Sequence, residues 1–133
     1  MERKGSRETG DRPSRRTRVD DPALVEKILR LVGLGVRGRG AVVGMERVRE
    51  GAKGGKIALA LIAGDASHNT LDKLVPLLEA RRINFIELPS AARLGAAVGR
   101  EQTAAVGIVD RPLAKGIREL VQPRRSVPPQ EGV

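Results

Sequence analysis

The sequence predicts an α/β fold, a three-layer α/β/α sandwich around a small mixed four-stranded sheet, and three observations lead there. Apolar runs of strand length alternate with helical periodicities along the chain, as in a sheet covered by helices on both faces. Of the 133 residues 40% are apolar, yet Phe85 is the only Phe and there is no Tyr or Trp, so the core is aliphatic. Both ends are rich in charged, small and proline residues, which leaves one ordinary domain over residues 21–121.

Residues 1–20 have only Met1 and Val19 as aliphatics. They bury too little apolar surface to offset the entropy of ordering, which predicts a disordered basic tail. Asp21 and Pro22 suit a helix cap and a first helical position. Leu24, Val25, Ile28, Leu29 and Val32 then recur at helical spacing, predicting a helix to about Gly33, with Gly33 to Gly40 as a loop.

Ala41–Val43 reads as a very short strand. Gly44 turns into a weak, glycine-containing helix with Met45, Val48 and Ala52 on one face. The run IALALIA, residues 57–63, suits a strand buried on both faces. Asp65 or Ser67 caps the next helix, which carries Leu71, Leu74, Val75 and Leu78; Pro76 is expected to kink or divide it.

Residues 83–88 alternate as a strand, and Ser90 caps a short helix bearing Leu94 and Val98. Residues 104–109 form another strand. Asp110, followed by Pro112, opens the last helix with Leu113, Ile117, Leu120 and Val121. Residues 122–133, with three prolines, are predicted to be disordered.

The chain has no cysteine, which excludes disulfides, thiolate catalysis and Cys-based zinc sites. No apolar run approaches the roughly 18 residues of a membrane span, and the N-terminus lacks the apolar stretch of a secretory signal. The expectation is a cytoplasmic protein without membrane contact. A formal charge of +9 and a pI near 11.2 point to a polyanionic partner, nucleic acid first. Residues 21–121 hold 16 basic and 11 acidic side chains, so the basic excess does not depend on the tail.

Gly33–Gly38 spells GxGxxG, but it follows a helix, and Ala58 stands 20 residues on where a dinucleotide site needs an acid. His68, the single histidine, shares one helical turn with Asp65, Ser67 and Asn69, whereas a catalytic triad converges from separate elements. Asp65 and Asp110 follow strands and precede helices, where capping accounts for them. No catalytic residue, metal or cofactor is expected, and the protein is read as not an enzyme.

The basic side chains Arg37, Arg39, Arg47, Arg49, Lys53 and Lys56 crowd a glycine-rich loop and the helix after it. Such a segment can meet phosphates through side chains and backbone N–H groups together. Single-strand binders stack bases on aromatic side chains, which this chain lacks. Structured RNA, read by shape and phosphates, or duplex DNA remains.

Four segments together resemble the ribosomal-protein L-seven-Ae superfamily, whose members bind kink-turns in RNA, and in particular its bacterial YlxQ-like branch. GMERVREGAKGGK stands at that family's Gly-x-Asn-Glu-x-x-Lys helix, and IALALIAGDAS at its strand ending in Ala-Glu-Asp-x-Ser. LVPLLEARRINFIEL resembles its proline-interrupted helix and following strand, and LPSAARLGAAVGREQ its Leu-Gly-x-Ala-x-Gly segment.

The resemblance covers about residues 24–120. It implies that RNA meets the loop at Gly44, the helix start after it, and the loop following Gly99 with Arg100 and Gln102. Gly44 and Val48 keep the family's pattern, while Glu46 stands at its Asn, Arg47 at its Glu, Glu50 at its Lys, and Gly64 at a Glu. A carboxylate does not donate to a guanine acceptor as an amide does, so these positions imply an altered choice of RNA, with Arg47, Arg49 and Lys53 compensating. The expected function is a monomeric RNA-binding protein associated with the ribosome or its RNA. The second reading is a protein-interaction module on the same fold.

Overall fold

The computed structural model describes residues 15–121. Its elements run β1 (Arg16–Arg18), α1 (Pro22–Arg37), β2 (Ala41–Val43), α2 (Met45–Lys53), β3 (Leu59–Ala63), α3 (His68–Ala80), β4 (Phe85–Leu88), α4 (Ala91–Ala97), β5 (Ala105–Ile108) and α5 (Arg111–Val121). The sheet order is β1-β4-β3-β5-β2. β1, β4 and β3 are mutually parallel; β5 is antiparallel to both β3 and β2.

Two apolar layers flank the sheet. Alternate residues of the central strands point to opposite faces. Leu59, Leu61, Ile86, Leu88, Val106 and Ile108 meet Val25, Ile28 and Val32 of α1, Leu94 of α4 and Ile117 of α5. Ala60, Ile62, Phe85 and Ala105 meet Val48 and Ala52 of α2 and Leu74 and Leu78 of α3. The expected α/β/α sandwich is present; each apolar stripe read from the sequence buries its centre, while flanking members such as Leu24, Leu29, Leu71, Val75, Leu113 and Leu120 are partly buried against it.

The caps follow the sequence as well. The Asp21 carboxylate accepts from Leu24 N at 3.0 Å, Ser67 Oγ from Thr70 N at 3.1 Å, Ser90 Oγ from Arg93 N at 3.1 Å, and Asp110 Oδ1 from Leu113 N at 3.1 Å. Asp65 caps a different helix from the one it precedes: its Oδ1 accepts from Ala91 N at 2.8 Å, tying the turn after β3 to the start of α4.

Three expectations need correction. The sheet has five strands instead of four, and the extra one, Arg16–Arg18, lies inside the stretch expected to be a disordered tail. Side-chain pairing to Glu87, described below, and burial of Val19 just past the strand hold it. Residues 1–14 and 122–133, the rest of both tails, lie outside the described residues.

Secondly, α1 continues through Gly33 and Gly35 to Arg37. These glycines are contact points: a Cβ on Gly33 would stand 2.8 Å from Ala97 O, and one on Gly35 would stand 2.5 Å from the Leu113 side chain. Close packing against α4 and α5 offsets their poor helix propensity. Thirdly, Pro76 does not divide α3, which runs as one helix through it, because the fully buried Leu74 and Leu78 hold it to the sheet on both sides of the missing hydrogen bond.

Candidate nucleic-acid interface

The strand directions give the sheet two chemically different ends. β2, β3 and β4 finish, and β5 begins, at the end that carries Gly44. They start, and β5 finishes, at the end that carries Arg39.

At the Gly44 end, the turn into α2 rests on a backbone that only glycine adopts with ease, φ 104° and ψ 147°. Gly44 N donates to Ala105 O at 2.9 Å, which joins the start of α2 to the start of β5. No side chain caps α2, so the N–H groups of its first turn have no side-chain acceptor. Glu46 and Arg47 are exposed on that turn.

The loop before β5 folds onto α4. Gly95 has no side chain, and the backbone of Gln102 fills the space: a Cβ there would stand 2.7 Å from Gln102 N. Thr103 N donates to Ala91 O at 3.1 Å, and the buried Thr103 hydroxyl donates to Ala105 O at 3.2 Å. A cleft lined by Asp65, Ser67, Thr70, Ala91, Gln102 and Thr103 opens beside it.

Nearby on the same end, Glu87 is a buried carboxylate at 6% exposure. Arg16 Nε donates to its Oε1 at 2.8 Å, Arg16 Nη2 donates to the same oxygen, and Arg18 Nη2 donates to Oε2 at 3.2 Å. Burial pushes the Glu87 carboxyl up; the hydrogen bonds from Arg16 and Arg18, with their charges, outweigh it and set the pKa below the ordinary carboxylate value.

The expected site residues do not form one patch. Gly44, Glu46 and Arg47 lie at the Gly44 end, with Arg100 and Gln102 exposed in the loop leading to β5. Val48 is fully buried in the core and has no surface to offer RNA. Arg49 lies along the buried stripe of α2, with a buried Nε that has no hydrogen-bond partner among the described residues, and Glu50 is exposed mid-helix. Arg37, Arg39, Lys53 and Lys56 belong to the opposite end.

The stretch from Gly38 to Lys56 looks like one basic cluster because its members are close in sequence. α2 carries the chain from one end of the sheet to the other, about 13 Å at 1.5 Å per residue, and separates them. Sequence reasoning missed Arg81 and Arg82, which stand beside Lys53, and the Arg16–Glu87–Arg18 group. An acid inside the strand INFIEL was the available signal for the latter.

The described residues contain no cluster of three or more His, Cys, Asp or Glu placed to hold a metal, and no helix long and apolar enough to cross a membrane. The sequence pattern of the ribosomal protein L7Ae/L30e/S12e/Gadd45 family matches residues 26–117. The chain belongs to that family.

Within it, this chain is similar to proteins named RNA-binding protein YlxQ. The one from Bacillus subtilis (strain 168) is 29% identical over 91 residues, 68% of this chain and 91% of its own; the one from Enterococcus faecium is 29% identical over 97 residues, 73% and 93%. Among solved structures, a protein of unknown function from Bacillus halodurans C superposes with a TM-score of 0.65 at 26% identity, over 71% of this chain and 96% of that one. The Giardia lamblia 15.5kD RNA binding protein gives a TM-score of 0.66 at 24% identity, over 74% and 85%, and shares the fold.

Proposed function

We propose that this is a non-enzymatic, cytoplasmic RNA-binding protein that takes structured RNA at the Gly44 end of its sheet. The observation that carries the reading is the junction of two segments by the Gly44 N–Ala105 O hydrogen bond. It sets the uncapped start of α2 beside the loop that delivers Gln102. Backbone N–H groups at a helix start favour phosphate oxygens, Arg47 adds charge, and the bare Gly44 lets a nucleic-acid backbone approach. The RNA-binding names of the YlxQ relatives support the same partner.

Glu46 beside Arg47 favours a kink-turn-like RNA whose contacted bases present donors to a carboxylate in place of acceptors to an amide. The ribosome or its RNA is the setting that the family suggests, with the protein acting as a monomer. The test is affinity for a kink-turn RNA and a matched plain duplex at two salt concentrations. The expected result is binding that weakens steeply with salt and favours the kinked RNA. Failure to bind either RNA at low salt overturns the reading; equal binding to both removes its kink-turn part.

A further inference from the structure

The Arg39 end carries the basic excess that the Gly44 end lacks. Chain links 38–40, 54–58, 81–84 and 109–110 meet there. Adjacent strands lie about 4.8 Å apart, so the three steps from β4 to β2 set these links within about 15 Å of one another. Hydrogen bonds tie them together. Arg81 Nη1 donates to Lys53 O at 3.2 Å, while Val109 N and Asp110 N donate to Gly40 O at 2.8 and 3.1 Å.

Arg37, Arg39, Lys53, Lys56, Arg81 and Arg82 are all exposed on this end. Among the described residues none of them is ion-paired. The carboxylates on the adjoining turns are Glu50, Glu79 and Asp110, fewer than the six basic side chains; Arg111 adjoins Asp110, whose Oδ1 is already taken by Leu113 N. At the Gly44 end, by contrast, Arg47 and Arg100 are interspersed with Glu46, Asp65 and Glu101, and Arg18 is committed to Glu87.

The backbone marks the same end. Arg39 and Arg82, at φ 64° and 59°, are the non-glycine residues with positive φ among the described residues, and each stands just past a helix C-cap. Glycine is the usual residue there. Two arginines instead hold the strained position, and each projects its charge from a fixed turn.

We propose that the Arg39 end is a second phosphate-binding surface, so that one molecule holds two RNA duplex segments at opposite ends of its sheet. The inference rests on the RNA-binding reading of the Gly44 end. Strands of four or five residues put the ends roughly 15 Å apart at 3.3 Å per residue, beyond the ~8 Å screening length at physiological salt. Each end therefore attracts its own duplex.

The test titrates the full chain with a short blunt RNA duplex at about 0.1 M salt, where the ~10 Å screening length stays below that separation, and reads stoichiometry by sedimentation. The first variant combines R39G, R82G, K53A and K56A; glycine relieves both positive-φ positions, so R39G and R82G do not cost the fold its stability. The second is R47E. Wild type is expected to bind two duplexes and each variant one. The quadruple variant should weaken the affected site at least tenfold and lower the salt slope by about 0.9 for each phosphate contact removed.

A second duplex that survives the quadruple variant overturns the inference. So does saturation at one duplex that only R47E abolishes, which spares the proposed function. A single duplex lost in the quadruple variant and kept in R47E overturns the assignment to the Gly44 end. Absence of all binding overturns both.

Discussion

Glu87 occupies the volume that a side chain at Gly64 would need: a Cβ on Gly64 would stand 2.6 Å from Glu87 Oε2. Where the L-seven-Ae pattern carries a glutamate after the strand, this chain has the glycine, and the neighbouring strand brings a carboxylate to that place. The two positions are therefore coupled. Gly64→Ala should destabilise the protein by about 1–3 kcal/mol by pushing Glu87 off its arginines. In an E87A background the same change should cost much less. A double-mutant cycle read by urea denaturation measures the coupling; additive costs would contradict it.

The ion pairs make β1 docking pH-dependent. The Glu87 pKa is lowered in the folded protein, so its stabilising contribution is full above the unfolded value near 4.5 and is lost as pH falls through the lower folded value. Amide exchange at Val19, whose N–H donates to Glu87 O at 3.0 Å, should accelerate over that acidic window, relative to the intrinsic rate, before the central strands open. The variant R16A/R18A tests this. The hydrogen bonds and charges that lower the carboxyl pKa are gone there, so the acid-range loss of stability carried by Glu87 should disappear. A wild-type-like pH profile in that variant would show that the arginines do not set the shift.

The framework is legible in the sequence and the site only in part. The succession of helices and four of the five strands along the chain, the apolar stripes of α1, α2, α3 and α5, and the caps at Asp21, Ser67, Ser90 and Asp110 all follow from local chemistry that a linear reading can see, whereas the order of strands within the sheet does not. β1 is hidden because Arg16-Thr17-Arg18 has no apolar alternation; a carboxylate 69 residues away from Arg18 stabilises it. Gly33 and Gly35 read as a helix end because their contacts with Ala97 and Leu113 are tertiary. The basic cluster misleads for the same reason: proximity in sequence from Gly38 to Lys56 says nothing of which end of the sheet each charge reaches.

Two helical glycines should respond to alanine in opposite directions. Gly33 lies against Ala97 O, a backbone atom that cannot rotate away, so G33A should push α1 from α4 and cost about 1–3 kcal/mol. Gly116 in α5 has nothing within 4 Å of the place where an alanine methyl would stand, so G116A should gain about 0.5–1 kcal/mol from helix propensity alone. Thermal denaturation of the two variants side by side decides it; equal shifts would mean that the α1–α4 contact yields without cost.

Gly95 joins stability to the interface. An alanine there would drive its Cβ into the Gln102 backbone, 2.7 Å from N and 2.8 Å from C, so the chain from Gly99 to Gln102 must move. Helix α4 itself tolerates alanine, and Thr103 keeps its bonds to Ala91 O and Ala105 O as anchors. The displacement is therefore concentrated in the segment carrying Arg100 and Gln102. G95A should weaken RNA binding about tenfold, ~1.4 kcal/mol, while circular dichroism below the melting point stays native. Q102A, which removes one side chain and leaves the loop in place, should weaken it less. An amide spectrum showing the loop displaced, with RNA affinity unchanged, would remove the segment from the RNA-binding surface.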